Sequence, residues 1–249
     1  MSEISSNLKL VEDAIKRGDL GHISSFLASV KGESAEQKAA SLKTMANLAY
    51  KAILYDHPTR PSIFDLFYEH DKAILTTPIN GNGNSLLQNL AKIETADGFK
   101  KVLGYMKKDG VSLSHLNNYD WNVMHTLVNI DVVTQGITRE AVDDARNKIN
   151  EMISLVFSAD PEAFIRMCEK ANKAEKRPMD VCKEETTYSH IINIAKGASE
   201  KIQVGAILTE EVRKFDEKQN RELSKMLQST FRTEDQNSKT GNKTQIRFR

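Results

Sequence analysis

The sequence predicts an all-α protein, and three observations carry that prediction. The chain of 249 residues contains only 5 prolines and 12 glycines, which are the residues that most often interrupt helices. Apolar residues recur mostly at spacings of three and four, which is the period of one face of a helix. We identify no stretch with the period of two that is typical of a half-buried strand.

Residues 1–75 are predicted to form an N-terminal helical cap region. Two short apolar stripes at its start are separated by Gly18, a residue that commonly ends a helix, and Asp19 is placed to begin the next one. The chain before Pro58 has to leave the helical conformation, because a residue that precedes proline avoids it. The predicted helices between this first pair and the end of the region span 35–54 and 62–70.

Residues 76–198 are predicted to alternate between loops and helices, beginning with the turn-rich loop 76–84. Residues 199–232 are predicted to form one or two helices. The segment 233–249 is rich in Thr, Asn, Gln and Lys, and it is predicted to be a flexible tail because it has little apolar surface to bury. The predicted helices of the middle region span 85–92, 97–107, 123–130, 138–157, 161–172, 178–183 and 188–196.

The charge balance excludes several classes of partner. Lys and Arg number 35, Asp and Glu number 34, and the formal net charge is +1. A nucleic-acid-binding protein usually has an excess of basic residues or a basic face, so no nucleic-acid partner is predicted. No run of about 18 apolar residues is present, so no integral membrane segment is predicted. The first residues lack a secretory signal, and the two cysteines are typical of reduced thiols in a cytoplasmic protein.

The most informative motif spans Gly110 to His125, and its last three residues begin a predicted helix. It resembles the ankyrin repeat, in which a finger-like loop leads through Gly-x-Thr-Pro-Leu-His into the first of two helices. His125 matches the histidine of that signature. At the other positions, Leu113 stands for the loop valine, Asp120 for the turn glycine, Asn122 for the capping threonine, Val123 for the proline and Met124 for the leucine.

Two further segments resemble the same signature. Residues 83–88 lie 37 residues earlier, with Ser85 as the cap and Gln88 in the histidine position. Residues 177–182 resemble the Thr-Pro-Leu-Asp-Leu-Ala variant of a closing repeat. The longer spacing before this last segment is explained by extra residues in 131–150. The resemblance therefore predicts a degenerate ankyrin-like array, a solenoid of helix pairs with inserted helices, capped by the N-terminal helices and extended by the C-terminal helix.

The resemblance implies a non-catalytic protein–protein interaction module that binds a protein partner through its finger loops and its concave helical face. Trp121, the only tryptophan, either anchors a partner from a finger tip or packs on an inserted helix. Related arrays with extra helices also occur among effectors that intracellular bacteria deliver into host cells, which implies a cytoplasmic or host-cell location. The residues predicted to bind the partner are His115, Asn118, Tyr119, Trp121, Asn80 and Asn82.

No catalytic residue, metal or cofactor is predicted. The six histidines form no His-x-x-x-His pair and the two cysteines form no Cys-x-x-Cys motif. We predict that His125 has a structural role within the repeats, and that Cys182 is a core thiol and not a nucleophile paired with His190. The basic run from Lys170 to Arg177 is typical of an exposed loop.

Two alternatives to the interaction module stay open, and the oligomeric state is not predicted. One is an enzyme whose site lies between the N-terminal helices and the array, with His57, His70 and Asp65 as its residues. The other is an oligomerising adaptor that self-associates through the helix predicted within 200–231.

Overall fold

The fold was analysed on a computed structural model, which describes residues 2–30, 35–55, 63–198 and 206–240. Within these ranges every regular element is helical, which confirms the predicted all-α class. The α-helices are α1 (Ser2–Arg17), α2 (Leu20–Val30), α3 (Ala35–Leu54), α4 (Ile63–His70), α5 (Leu86–Leu90), α6 (Ala96–Lys108), α7 (Val123–Val128), α8 (Arg139–Ala159), α9 (Pro161–Glu169), α10 (Glu185–Ala198) and α11 (Ala206–Thr240). Short 3₁₀ helices span Lys72–Leu75, Ile93–Thr95 and Pro178–Val181.

The first helix boundary follows the sequence closely. Gly18 has a φ of 69°, the left-handed conformation that ends α1 at low steric cost. Asp19 then caps α2, because its carboxylate Oδ1 accepts the backbone N–H of His22 at 3.0 Å. The predicted helix pair is confirmed, and its boundary depends on these two residues.

Several elements differ from their predicted extents. Helix α5 ends at Leu90, α9 ends at Glu169 and α10 begins at Glu185, each two or three residues from the predicted boundary. Helix α7 has only 6 residues and ends at Val128, and the helix predicted over 178–183 is a single 3₁₀ turn. Helix α11 continues to Thr240, past the boundary at which the flexible tail was predicted to begin. The sequence of α11 contains no Gly or Pro, and extending a helix costs far less than nucleating one. The rest of the predicted tail, 241–249, lies outside the described residues.

The helices pack largely in chain order. Helix α1 contacts α2 and α3, α3 contacts α4, α6 contacts α8, and α8 contacts α10, against which α11 lies. Their buried apolar side chains form one hydrophobic cluster that extends from Val11 in α1 to Leu208 in α11. None of the described helices has both the length and the apolar character needed to cross a membrane.

Two tyrosine–aspartate hydrogen bonds join the N-terminal helices to the rest of the chain. The Tyr68 hydroxyl of α4 donates to Asp109 at 2.7 Å, and the Tyr105 hydroxyl of α6 donates to Asp65 of α4 at 2.6 Å. The two tyrosine rings lie 4.1 Å apart, centroid to centroid. The hydrogen bonds from Tyr68 and then Lys72 hold the pKa of Asp109 below its ordinary value. Helices α4 and α6 are therefore held together by polar bonds around an aromatic contact.

Candidate partner-binding site

Three five-residue loops share one internal geometry, and we call residues 80–84, 117–121 and 172–176 the first, second and third finger loops. Each begins with an asparagine, namely Asn80, Asn117 or Asn172. In each loop the Oδ1 atom of this asparagine accepts the backbone N–H groups of the residues two and four positions later, at 2.9–3.1 Å. The asparagine side chain therefore closes each turn in the same way.

The fourth residue of every finger loop has a left-handed backbone. The φ angles are 77° at Gly83, 58° at Asp120 and 58° at Glu175. In each case its N–H donates to the carbonyl oxygen of the first asparagine in the loop. Glycine adopts this conformation at low cost, whereas aspartate and especially glutamate adopt it only under the constraint of the surrounding hydrogen bonds.

A helix start follows each finger loop with the same spacing. Ser85 and Asn122 lie five residues after the loop asparagine, and each accepts the N–H of the residue three positions on, which is Gln88 or His125. The side chains of Gln88 and His125 in turn accept the N–H of the capping residue. After the third loop, the Asp180 carboxylate accepts the backbone N–H of the corresponding residue, Arg177, at 2.8 Å.

The same side chains connect each finger loop to the next one. Gln88 Nε2 donates to the carbonyl oxygen of Trp121 at 2.7 Å, and His125 Nε2 donates to the carbonyl oxygen of Lys176 at 3.0 Å. Both carbonyl groups belong to the fifth residue of the following loop. One backbone bond between loops also occurs twice. The Asn118 N–H donates to the Asn82 carbonyl, and the Lys173 N–H donates to the Tyr119 carbonyl, so each joins the second residue of a loop to the third residue of the loop before it. The three loops therefore lie side by side in chain order.

The protonation state of His125 follows from its partners. Its Nδ1 atom accepts the Asn122 N–H at 3.3 Å, so the proton resides on Nε2, which donates to Lys176. His125 is fully buried, and burial lowers its pKa below the ordinary 6.5, more than the Lys176 carbonyl and the Asp180 charge raise it. The ring therefore has the structural role in the repeats that the sequence predicts.

Three of the six predicted partner-binding residues are used within the loops themselves. Asn80 closes the first finger loop, and its Nδ2 also donates to Asn89 at 3.1 Å. Asn118 Nδ2 donates to the Gly81 carbonyl at 2.9 Å, and the His115 ring lies 2.9 Å from the Gly83 carbonyl. Of these side chains, Asn118 and His115 stabilise the contact between the first two loops.

The other three predicted residues, Asn82, Tyr119 and Trp121, line one groove of about 430 Å³. Tyr119 is 55% exposed, and Trp121 is partly buried with its ring stacked on His125 at a centroid distance of 5.7 Å. Trp121 therefore packs on the histidine of its own repeat and still contributes to an open surface. The groove, which we call the finger-loop groove, is also lined by Asn84, Asn117, Thr126, Asn172, Lys173 and Ala174.

Sequence reasoning missed Asn117, Asn172 and Lys173 as residues of this surface. A signal for the asparagines was present, because an asparagine stands five residues before each capping position, at 80, 117 and 172. Lys173 carried no such signal. Its place in the groove depends on its backbone N–H donating to the Tyr119 carbonyl at 3.1 Å, a contact between distant parts of the chain.

The residues of the enzyme alternative are arranged differently from a catalytic pair. The Asp65 carboxylate accepts from the Tyr105 hydroxyl and lies 3.5 Å from the Lys101 ammonium group. Among the described residues no hydrogen bond joins Asp65 to His70, and His57 lies outside the described residues. Within the same ranges, no three His, Cys, Asp or Glu side chains are close enough together to hold a metal ion.

Cys182 and His190 do not form a nucleophile pair, which is the arrangement that the sequence disfavours. The Cys182 thiol donates to the Glu184 carbonyl at 3.4 Å, and burial raises its pKa to about 11. The His190 ring instead bonds the Ser154 hydroxyl, with an Nε2–Oγ distance of 2.7 Å. Ser154 lies within α8, where the backbone N–H groups are used by the helix and cannot stabilise an oxyanion. We interpret this bond as a contact between α8 and α10.

Comparison with known proteins gives no match: no family model matches the chain, and neither a curated protein nor a solved structure is significantly similar to it.

We predict that Gly83→Ala destabilises the protein by about 1–3 kcal/mol, because alanine is strained in the left-handed region. A Cβ atom at Gly83 would also overlap the Asn118 side chain at Oδ1. Gly81→Ala in the same loop is the matched control, since no atom lies within 4 Å of its Cβ position. Urea unfolding of both variants measures the difference, and equal midpoints would contradict the finger-loop geometry.

We predict that His125→Gln preserves stability near neutral pH, because Gln88 makes both equivalent bonds in the preceding repeat. His125→Ala should cost about 2 kcal/mol or more, because it leaves buried groups unpaired. The lowered pKa of His125 means that its stabilising effect is present above 6.5 and is lost as the pH falls below that value.

Acidification should therefore lower the free energy of unfolding of the wild type more than that of His125→Gln. Thermal unfolding at several pH values on both sides of 6.5 measures this shift, and the other histidines cancel because both proteins contain them. If the glutamine variant is as unstable as the alanine variant, the proposed equivalence of positions 88 and 125 is wrong.

Proposed function

We propose that the chain is a non-catalytic protein–protein interaction module, an ankyrin-like array that binds a protein partner through its finger-loop groove. The single observation that carries this proposal is the side-by-side repetition of three finger loops with one hydrogen-bond pattern. Repeat arrays of this kind satisfy their inner polar groups between neighbours and leave the loop edges available for recognition.

The composition of the groove supports the same proposal. An exposed tyrosine and a partly exposed tryptophan that line the same groove are typical of residues that contribute strongly to binding. Hydrogen bonds hold the loops that carry them, so little conformational entropy is lost on binding. A cytoplasmic location is supported by the free thiols of Cys168 and Cys182. Delivery into a host cell as an effector stays a prediction of the family resemblance.

We predict that Tyr119→Ala and Trp121→Ala each reduce retention of the partner by about tenfold, the effect expected of an anchoring aromatic residue. Quantitative mass spectrometry of proteins retained from a cell lysate measures this. Tyr119→Ala is the cleaner variant because Trp121 also packs on His125.

Tyr55→Ala is the matched control, since Tyr55 is 48% exposed at the end of α3. Circular dichroism checks that each variant is folded. The finger-loop proposal fails if the two groove variants retain the same proteins as wild type, or if the control loses them equally.

A second candidate function, self-association through α11, is favoured by a different observation. This helix has 35 residues, a length of about 50 Å at 1.5 Å per residue. In its first part, Phe215 packs against Tyr188 of α10 and Val212 packs against the hydrophobic cluster. Leu223 and Met226, about one turn apart, are in contrast 52% and 60% exposed. An exposed apolar pair on one helix face is suited to contact with a second copy.

We predict that, if α11 mediates dimerisation, Leu223→Glu combined with Met226→Glu halves the molar mass seen by size-exclusion chromatography with light scattering. The substitutions lie beyond the buried part of α11, so the fold should be retained. Val133→Glu, at another exposed apolar residue, is the control. A wild-type chain that is monomeric at all concentrations tested excludes this function.

A further inference from the structure

The segment that forms the third finger loop carries a concentration of positive charge without matching partners. Residues 170–177 contain Lys170, Lys173, Lys176 and Arg177 against the single acidic residue Glu175. Among the described residues, none of the four cationic side chains is in an ion pair. Lysines elsewhere, on α8 and on α11, are paired with neighbouring carboxylates.

Two of the three carboxylates nearest to the loop in the sequence accept backbone N–H groups. The Asp180 carboxylate accepts the Arg177 N–H, and the Glu169 carboxylate accepts the Leu208 N–H at 3.5 Å. Glu175 is exposed at the left-handed position of the turn. The chain as a whole is nearly neutral. The local excess of Lys and Arg therefore makes one end of the finger-loop groove positively charged.

The finger-loop groove itself offers hydrogen-bond donors. Lys173 lines the groove and uses one of its three ammonium protons on the Asn118 carbonyl at 2.6 Å. The Trp121 indole N–H is a donor only, and it makes no hydrogen bond to any residue that the structure describes. A ligand that carries acceptors, above all carboxylates, complements these groups better than a ligand rich in donors.

We propose that the finger-loop groove binds an acidic segment of the partner protein, with a carboxylate at Lys173 and an apolar or aromatic side chain against Tyr119 and Trp121. This inference rests on the proposed interaction function and names the chemistry of the partner. The Asn82 amide in the same groove can pair with the backbone of an extended peptide, and so can the amide nitrogen of Asn84, whose oxygen accepts from Asn117 at 2.8 Å. A concave groove with amides and aromatic rings suits a peptide better than a nucleic acid, because a nucleic-acid backbone requires a continuous basic surface.

A selection of random peptides displayed on phage, with the full chain as bait, tests the proposal. Peptides that bind should be enriched in Asp and Glu next to an apolar or aromatic residue. Their affinity, measured by fluorescence anisotropy with the labelled peptide, should fall as ionic strength rises. Tyr119→Ala should weaken the same peptides by about tenfold, which places them in the finger-loop groove.

Charge reversal provides the decisive comparison. Lys173→Glu combined with Lys176→Glu should weaken binding of the selected peptide by about fivefold or more, as expected for two lost charge pairs. Lys170→Glu combined with Lys176→Glu leaves the Lys173 bond to Asn118 intact, so it tests the charge without disturbing the loop. Lys38→Glu combined with Lys43→Glu changes the net charge equally on exposed positions of α3, and it should leave binding unchanged.

Peptides that bind through Tyr119 but show no acidic enrichment would overturn this inference and leave the interaction function standing. If Tyr119→Ala leaves the affinity of every selected peptide unchanged, both proposals fail. A single-stranded oligonucleotide and vesicles of phosphatidylcholine with phosphatidylserine are the remaining probes. Saturable binding of either one, stronger than that of the peptides and lost in the Lys173→Glu, Lys176→Glu variant, would assign the positive charge to another class of ligand.

Discussion

The structure of the central region depends on one pair of hydrogen bonds that occurs twice. The side chain at the third position of a helix, Gln88 or His125, accepts from its own cap and donates to the carbonyl of the next finger loop. It therefore serves a buried helix start and a neighbouring loop at once. Because each buried polar group that loses its partner costs about 1–3 kcal/mol, the position in space of the next loop relative to the cap is tightly constrained, even though the number of intervening residues differs.

This constraint determines which side chains remain available to a partner. The inner backbone groups of the finger loops bond to one another, the Asn118 and His115 side chains bond to carbonyl groups of the first loop, and Asn80 closes that loop internally. Side chains at the third and fifth loop positions, such as Tyr119 and Trp121, line the finger-loop groove instead. The loops are thus held in place before any ligand binds, which lowers the entropic cost of recognition.

Helices on both sides complete the hydrophobic core that the short loop-bearing helices cannot form alone. Helix α7 has only 6 residues, and an isolated helix of that length is unstable in water. The long helix α8 packs against α6, α7 and α10, and so covers the apolar side chains of several neighbours. Residues 139–150, which precede the third finger loop, form the first part of this helix and therefore help to stabilise the central region.

Much of the fold was predictable because its signals are local. The helix over 35–54, the stop at Gly18 and the capping positions 85 and 122 follow from periodicity, backbone preference and side-chain chemistry within a few residues. The extent of α11 was missed because polar composition suggested a tail, although no helix breaker is present before Thr240. The role of Asn172 was missed because its signal, an asparagine five residues before the start of a helix, is visible only when the three segments are compared with one another.

The sequence by itself determined the helical class, most helix boundaries and the three positions at which a loop enters a helix. Only the tertiary structure decided which loop side chains are hydrogen-bonded within and between the loops and which line the groove. The bonds from Gln88 to Trp121 and from His125 to Lys176 join residues 33 and 51 positions apart. No local pattern encodes such pairings, because they depend on how the intervening helices pack and not on the preferences of the residues themselves.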